Sequence, residues 1–594
     1  MAGQEEIKKI PYGLTDYKRI RRQNYYYLDK TRYIPLLEDV GSFLFFIRPR
    51  RFGKSSFLSL LESYYDIYYK DQFQELFSGT WIDTQPTPEQ GQYLVLSFNF
   101  SQVELTKEKL ETSFIAHTKT IALSFLVKYA DLLLKDVDFT KKSIEESLSS
   151  ADILSFVIHF CKNSHRDLYV IVDEYDNFAN TLLTTSGSSA YLEVTTGQGF
   201  LRSFFNVLKG GTTGTDAPVK RLFITGVSPI TMDDVTSGFN IGEQISLLPQ
   251  FNQMLGFTRQ DVEEMLDYYS TAGLVPPNHD HLLELIDFWY GNYLFSEDDH
   301  VTMANTDMVL YFMRNYLPGG KIPRDLIDRN VRIDYGKLRH LIVADKDKTQ
   351  LPITNGNFSK LKQILETGEI LSDVVKGFPI EEVTDTTNFN SLLFYFGLLT
   401  INGTHLNKMR LVIPNESVKR LYYDYILKAN RETGAFSMNM HTYSELIDGM
   451  AFRGEWEPLL TYIINLMGET MALRDFITGE KSLQAFLNVY LGLSDLYLVH
   501  GEKELNMGYA DLFMEPFIAR YPEVTHAYLI EIKYAPAGKK VSRNKLNRLK
   551  KEAETQLIQY SLDKKFQKVL GKSTLTRLMV IFSGHQPLYL GKVG

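Results

Sequence analysis

A strand that runs into a lysine-bearing loop and then into a helix constrains the fold of this chain most strongly. The apolar run SFLFFI, residues 42–47, is followed by RPRRFGKSS, and an amphipathic helical pattern then continues through Tyr69. The pattern G-x-x-x-x-G-K-[ST] binds phosphate because backbone amides face the phosphates, the lysine reaches the β and γ oxygens, and the hydroxyl holds Mg²⁺. Its last three positions are Gly53, Lys54 and Ser55. The segment predicts a phosphate-binding loop.

An acidic strand is the second element that such a loop requires. LYVIVDEYDN, residues 168–177, has the pattern of a buried strand that ends at Asp173, which we expect to coordinate Mg²⁺, and Glu174 follows as the residue that prepares water. Thr225 ends another strand, in RLFITGVSPI, where its hydroxyl would sense the γ-phosphate. A GKS tripeptide alone can be a plain helix N-cap. The three elements in this order favour a nucleotide site.

The other loop residues are assigned to nucleotide binding by their position. They are Arg50, Arg51, Phe52 and Ser56. The two arginines have two interpretations: they stabilise charge on the transferred phosphoryl group, or they pair with acids on a neighbouring strand. We favour phosphate proximity. No arginine supplied in trans can be identified, so homo-oligomerisation stays open.

Strands alternate with helices through the first part of the chain. This alternation predicts a three-layer α/β fold of the additional-strand ATPase type, in which helices cover both faces of a parallel sheet. The segment 391–426 has the order helix, strand, turn, strand, helix, which suits a winged-helix-like unit. The expected domains are a P-loop domain at 1–255, a helical lid at 256–345, a helical or winged-helix-like linker at 346–470, and a second α/β domain at 471–594.

A second group of acids lies in the last of these domains. Glu531 and Lys533 alternate on the apolar strand AYLIEIK and therefore share one face, and Asp511 lies in the upstream strand YADLF. Phosphodiester hydrolysis needs acids that hold Mg²⁺ or Mn²⁺, and a nearby cation that positions or activates water. An isolated E-x-K triplet is more often an exposed ion pair. For a further metal acid, Glu480 on a helix competes with Glu504, and we favour Glu480.

A basic stretch without acids follows that strand, in a chain whose net charge is −8. It predicts salt-sensitive, sequence-independent contacts with a nucleic-acid backbone, and its alternative is a solvated helix face. Gln556 and Tyr560 lie one helical turn apart and would face the same site, unless they only pack the helix. The basic residues are Lys539, Lys540, Arg543, Lys545, Arg548, Lys550 and Lys551.

Composition narrows the class of protein. The 72 acids against 64 lysines and arginines argue against a dedicated nucleic-acid coat or membrane-surface protein. One cysteine, Cys161, allows neither an internal disulfide nor a cysteine zinc cage and favours a reducing compartment. Because the sequence has no signal-like start and no apolar run of about 18 residues, we expect a cytoplasmic protein without a membrane partner.

Several motifs together resemble a family of AAA-ATPase-like proteins that carry a C-terminal PD-(D/E)xK nuclease-like domain. They are YYYLDKT, RPRRFGKS, VIVDEYD, ITGVSPI, QFNQMLGFT, WYGNYLFS and IPNESV. In that family the arginine-rich loop replaces the glycine-first form, which makes Arg48 a family variant. The resemblance implies ATP as ligand, a restriction-endonuclease-like C-terminal fold, and a Q-x-x-x-Y motif at Gln556 and Tyr560. Members often have G-R-x-D before the metal aspartate, whereas this chain has Tyr509 in place of the arginine.

The sequence therefore predicts an ATP-binding and ATP-hydrolysing enzyme whose nucleotide state regulates a metal-dependent nuclease that acts on DNA, with RNA left open. One alternative is a nucleotide-dependent switch or scaffold whose nuclease-like domain only binds nucleic acid or protein. Another is a plain ATPase with a structural C-terminal domain.

Overall fold

The structure, a computed structural model, forms two compact units. One unit comprises Met1–Ala344 and Ile370–Val418, and the other comprises Asp345–Glu369 and Lys419–Gly594. The residues that the structure describes are 6–103, 109–132, 137–177, 181–182, 187–197, 199–230, 242–331, 363–364, 367–383, 385–432, 438–469, 479–505, 508–536, 541–584 and 586–594.

A parallel five-stranded sheet forms the centre of the first unit. Its strands are β1 (Phe43–Ile47), β2 (Leu94–Asn99), β3 (Leu168–Asp173), β4 (Val219–Gly226) and β5 (Glu243–Gln244). The strand order is β2-β3-β4-β1-β5, so β4 lies between the strand that precedes the lysine-bearing loop and the acidic strand β3. Parallel neighbours need crossover connections, and the helical segments between the strands supply them. The predicted parallel α/β fold is confirmed.

The helices of this unit are Tyr17–Arg22, Tyr33–Val40, Lys54–Tyr65, Phe73–Phe77, Leu110–Lys128, Val137–Glu146, Ser150–Asn163, Gly187–Thr195, Phe200–Gly210, Arg259–Thr271, Asp280–Tyr290, Thr306–Tyr316 and Thr386–Tyr395. The helix after the loop ends at Tyr65, not at Tyr69. Asp66 adopts an extended conformation, with φ −72° and ψ 124°, and its carboxylate accepts a hydrogen bond from the Tyr68 N–H, which starts a 3₁₀ turn.

Short strands accompany the helical middle of the chain. β6 (Phe257–Thr258) pairs with β7 (Met303–Ala304), and β8 (Glu369–Ser372), β9 (Thr400–His405) and β10 (Lys408–Val412) form a second small sheet. Leu406 and Asn407 both have positive φ, 48° and 62°, as a two-residue hairpin turn requires. The helix Thr386–Tyr395 precedes this hairpin and the helix Glu416–Glu432 follows it. The observed order is therefore helix, strand, turn, strand, helix, as predicted. The four-domain division stays a prediction.

The C-terminal unit contains a mixed five-stranded sheet. Its strands are β11 (Tyr497–Leu505), β12 (Gly508–Pro516), β13 (His526–Ala535), β14 (Thr574–Ser583) and β15 (Gln586–Val593), and they lie in sequence order. Only β13 and β14 run parallel among these described pairs. The other helices of this unit are Met440–Arg453, Trp456–Glu469, Glu480–Leu491, Arg543–Ser561 and Lys564–Leu570.

Both faces of this sheet are covered. Ile530 and Ile532 belong to the cluster that contains Leu483 and Leu487 of the helix Glu480–Leu491, whereas Leu529 belongs to the cluster of the helix Arg543–Ser561. Because side chains alternate along a strand, Glu531 and Lys533 lie on the same face of the sheet as Leu529. Among the described residues, no helix combines the length and the apolar character needed to span a membrane.

Candidate functional site

The loop between β1 and the helix Lys54–Tyr65 folds around the lysine side chain. Gly53 has φ +95°, a conformation that residues with a Cβ rarely adopt, and the helix begins directly after it. The Lys54 Nζ donates to the carbonyl oxygens of Arg48 and Pro49, at 2.9 Å each. Burial lowers the pKa of Lys54 to about 8, although the charges of Asp173 and Glu174 oppose this shift.

The predicted serine and acids meet at the same end of the sheet. The Ser55 Oγ donates to Asp173 Oδ2 at 2.7 Å, and the Glu174 N–H donates to Asp173 Oδ1 at 2.9 Å. Burial raises the pKa of Asp173, and burial together with the Asp173 charge raises the pKa of Glu174. The structure therefore brings together Lys54, Ser55, Asp173 and Glu174, as the sequence predicts.

Thr225 lies inside the sheet. It is paired with Phe46 in the β1/β4 register, and its Oγ1 donates to the Phe46 carbonyl at 2.7 Å. The side chain is buried, so this hydrogen bond gives the hydroxyl a structural role within the sheet. Sensing of the γ-phosphate by Thr225 receives no support from this geometry and stays a prediction.

Arg48 stands where the pattern G-x-x-x-x-G-K-[ST] has its first glycine, and the pattern did not indicate the buried environment of this side chain. Its buried guanidinium donates to the carbonyls of Ser246, at 2.6 Å, and Phe251, at 2.9 Å. It also lies against the rings of Phe46 and Phe295, 4.4 and 4.1 Å from their centroids. An arginine at this position therefore ties the end of β1 to the segment that follows β5.

The remaining loop residues point to different neighbours. Arg51 forms a salt bridge of 2.6 Å with Asp307. The less favoured interpretation, pairing with an acid, therefore holds for Arg51. The acid lies on the helix Thr306–Tyr316, however, and not on a neighbouring strand. Phe52 is buried edge-to-face against Tyr293 and Phe295. The charge of Arg50 acts on the pKa of Lys54 and of Glu174, which places Arg50 near both.

A largely apolar pocket adjoins the loop. Lys30, in the YLDKT element, donates to the Gln253 carbonyl and to Asp261 across this region, at 3.2 and 3.3 Å. The resemblance assigned this element no role beyond a suggested contact with the nucleotide base, and its residues form part of the pocket wall. The lining includes Tyr17, Tyr26, Tyr27, Leu28, Lys30, Phe52, Gly53, Ser56, Leu255, Phe257 and Leu310.

The second site lies where β12 and β13 pair. The pairing of the two strands reaches Leu512 and Ile530, and Asp511 and Glu531 are the next residue of each strand beyond that pair. The Ile532 N–H donates to Asp511 Oδ2 at 2.7 Å, and the Lys533 Nζ donates to Glu531 Oε1 at 2.7 Å. The predicted shared face of Glu531 and Lys533 is thus present.

The ion pair with Lys533 engages only one oxygen of the buried Glu531 carboxylate. Its side chain is 2% exposed, and its Oε2 has no hydrogen-bond partner among the residues that the structure describes. Burial and the neighbouring Asp511 charge raise the pKa of Glu531 to about 7. Burial lowers the pKa of Lys533, but the hydrogen bond and charge of Glu531 outweigh this, so the pKa is raised.

The helix Glu480–Leu491 reaches this site from the opposite face. The Glu480 charge acts on the pKa of both Glu531 and Lys533, which places it nearby. One turn later, Gln484 donates its Nε2 to the Asp511 carbonyl at 2.6 Å. The sequence analysis missed Gln484, although its i+4 spacing from Glu480 was a usable signal.

No three His, Cys, Asp or Glu side chains in the described ranges already form a metal-binding group. The donor set nevertheless fits a divalent cation, because the buried Glu531 Oε2 has no hydrogen-bond partner among the described residues, the Asp511 charge acts on Glu531, and hard cations prefer carboxylate oxygens. Of the two competing acids, Glu480 starts its helix near these groups. The Glu504 side chain lies outside the described part of the chain.

The helix Arg543–Ser561 borders the site with basic residues. A groove is lined by Lys533 together with Arg548, Lys551, Glu552, Thr555 and Gln556. The Gln556 Nε2 lies 3.4 Å from the Tyr560 hydroxyl, and burial followed by the Glu531 charge raises the pKa of Tyr560. Arg543 and Lys545 are exposed at the start of the helix, and Lys550 lies over the Tyr589 ring. The predicted contacts Lys539 and Lys540 lie outside the described residues.

Two family models match the chain. Residues 11–236 match the model described as a predicted AAA-ATPase of the AAA-ATPase-like family, and residues 478–589 match the PD-(D/E)XK nuclease superfamily. A curated relative, an uncharacterized protein in the vnfD 5' region of Azotobacter chroococcum mcd 1, is 28% identical over 257 residues. That match covers 43% of this chain and 44% of the relative, so the chain spans less than half of the relative's length.

Solved structures give weaker likenesses. They include Cdc6p from Pyrobaculum aerophilum and the Aeropyrum pernix ORC1 protein in complex with DNA, each 11% identical. Each match covers 70% of this chain and 98% of the other, with a TM-score of 0.27. At that TM-score, no property of either protein transfers to this chain.

Proposed function

Because the chain combines an AAA-ATPase-like domain with a PD-(D/E)XK nuclease-superfamily domain, we propose that it is an ATP-hydrolysing protein whose nucleotide state regulates a metal-dependent DNA nuclease. The observation that carries the proposal is the convergence of Asp511, Glu531 and Lys533, with a buried carboxylate oxygen that has no partner among the described residues. RNA is the alternative substrate.

In the first site, Lys54 would exchange its two carbonyl acceptors for the β and γ phosphate oxygens of ATP. Ser55 and Asp173, whose oxygens lie 2.7 Å apart, would hold Mg²⁺. Glu174 would orient the attacking water and accept its proton, a role that its raised pKa supports. The apolar pocket beside Gly53 would take the base.

In the second site, Glu480, Asp511 and Glu531 would hold Mg²⁺ or Mn²⁺. When bound, the cation would supply charge stabilisation at the scissile phosphate. Lys533 would position the attacking water, and the groove that leads from it past Arg548 would hold the nucleic-acid backbone.

A switch or scaffold without cleavage is the second candidate function. Tyr509, which stands where members of the resembling family often have an arginine before the metal aspartate, favours it. In that case the groove would bind nucleic acid without hydrolysing it, and Lys533 substitutions would leave no activity to lose.

Calorimetry with a non-hydrolysable ATP analogue and Mg²⁺ tests the nucleotide half. Lys54→Ala removes a charge-assisted contact, so we expect affinity about 10- to 100-fold below wild type. Lys162→Ala, at an exposed position on the helix Ser150–Asn163, is the matched control and should bind normally. Equal affinity of wild type and Lys54→Ala would refute nucleotide binding by this loop.

A further inference from the structure

We propose that Asn305, Thr306 and Asp307 form a clamp that holds the phosphate loop in its binding conformation and thereby sets the affinity of the site for nucleotide phosphates. The inference deepens the proposed function and rests on ATP binding by the loop. The clamp immediately precedes and begins the helix Thr306–Tyr316, which follows the predicted nucleotide domain in sequence.

Three consecutive loop carbonyls accept hydrogen bonds from three consecutive clamp residues. The Asn305 Nδ2 lies 3.3 Å from the Arg50 carbonyl, and the Asp307 N–H lies 3.1 Å from the Arg51 carbonyl. The Thr306 Oγ1 donates to the Phe52 carbonyl at 2.9 Å. Each bond therefore fixes one peptide group of the loop.

These bonds also determine which way the loop N–H groups point. In a trans peptide, the carbonyl and the next N–H point in opposite directions. With the carbonyls of residues 50–52 turned toward the clamp, the N–H groups of residues 51–53 point away from it. Backbone N–H groups are what such a loop offers to phosphate.

Lys54 completes the arrangement from the other side. Its Nζ binds the carbonyls of Arg48 and Pro49, so five consecutive carbonyls, residues 48–52, accept bonds from either Lys54 or the clamp. When Lys54 turns toward phosphate, the clamp bonds remain. The clamp would thus preserve the loop conformation during nucleotide binding.

Arg51 is the loop residue that most needs such support. Its φ of +67° lies in the left-handed region, which is unfavourable for an arginine. Asp307 holds it twice, through its own N–H to the Arg51 carbonyl and through its carboxylate to the guanidinium at 2.6 Å. The conformation is therefore imposed by the clamp.

The clamp is itself anchored within the same unit. Asn305 is buried, its N–H donates to the Tyr290 carbonyl at 3.0 Å, and its Oδ1 accepts from the Met308 N–H. The Thr306 hydroxyl lies 3.5 Å from where a Cβ on Gly53 would stand. Because the loop and the helix share these contacts, nucleotide binding and the position of this helix are coupled in both directions.

The test measures affinities of the full-length chain for ATP analogue, ADP and AMP, all with Mg²⁺. For Thr306→Val, which removes one hydroxyl at nearly constant volume, we expect analogue and ADP affinity to fall about 5- to 10-fold and AMP affinity to stay unchanged. Thr306→Ser keeps the hydroxyl and should bind as wild type. Asp307→Asn, which weakens the hold on Arg51, should show the same selective loss.

Thr271→Val is the matched control, since the Thr271 hydroxyl also donates to a backbone carbonyl, that of Tyr268 in its own helix, away from the loop. Unchanged affinities in both Thr306→Val and Asp307→Asn, with wild type binding, would overturn the clamp and leave nucleotide binding intact. An equal loss for AMP and the analogue would overturn it too, because it would indicate general destabilisation. Failure of wild type to bind any nucleotide would refute the proposed function and the clamp together.

Discussion

Glu531, at the second site, is an acid whose burial opposes its charge. Its pKa of about 7 in the folded chain exceeds the ordinary value of 4.5, so between these pH values the folded state binds more protons than the unfolded state. Stability therefore falls as pH rises from about 4.5 through about 7, and it stays reduced above that range. Such a conflict is typical of functional sites.

Glu531→Gln should remove this conflict. In metal-free protein we expect the variant to be more stable than wild type at pH 8, by on the order of 1–3 kcal/mol, and the difference to disappear near pH 4.5. Thermal melting across this range, with Mn²⁺ binding measured in parallel, checks both consequences, since the variant should lose Mn²⁺ affinity.

The exposed Glu523 supplies the control, because Glu523→Gln should change neither quantity. A stability gain that does not depend on pH, or full Mn²⁺ binding by Glu531→Gln, would contradict the assigned role of this carboxylate.

Residue identities were predictable where the chemistry is local in sequence. Lys54 and Ser55 were placed by the phosphate-loop pattern, and Glu531 and Lys533 by their alternation on one strand. The environments of Arg48 and Arg51 were not predictable, because their partners Ser246 and Asp307 lie about 200 and 256 residues away.

At the scale of elements, the helix Arg543–Ser561 links the basic residues to the second site. Arg548, Lys551 and Thr555 recur at i+3 and i+4 helical spacing and, with Gln556, line the same groove as Lys533. A salt bridge of 3.4 Å between Arg548 and Glu552 lies on an exposed surface, where screening keeps such pairs weak. Arg548 can therefore exchange this partner for phosphate.

Replacing Arg548 and Lys551 together with alanine should weaken DNA binding at every sequence to a similar degree. The slope of log affinity against log salt should fall by about one per lost phosphate contact, that is by about 2. Fluorescence anisotropy across a salt series measures this slope. The exposed Lys572 gives the control substitution Lys572→Ala, which should leave it unchanged. An unaltered slope in the double variant would exclude the groove as the backbone-binding surface.

Elements with strong periodicity were predictable, and one edge strand, β15, was not. The strand, loop and helix around Lys54 agree with the prediction because apolar runs and the loop pattern are explicit. The edge strand β15 was missed because Pro587 and Gly591 lower its strand propensity, which an edge position tolerates. The apolar run at 222–225 predicts a strand, but β4 begins earlier, at Val219, and its polar residue Arg221 pairs with Glu89.

In the molecule as a whole, one chain carries both candidate sites. The sequence indicated both domains and their order. It did not indicate that residues 370–418 belong to the first compact unit, because contacts such as that of Gln244 with the Lys376 carbonyl are distant in sequence. A cytoplasmic location and homo-oligomerisation stay predictions.

DNA cleavage by the 594-residue chain is the decisive measurement. Linear duplex and single-stranded DNA are incubated with Mg²⁺ or Mn²⁺, with and without ATP, beside Lys533→Ala and Lys54→Ala. We expect cleavage by wild type that ATP alters, a loss of about 100-fold or more in Lys533→Ala, and cleavage in Lys54→Ala that no longer responds to ATP. Cleavage that persists in Lys533→Ala, or no cleavage of either DNA under any condition, would contradict the account.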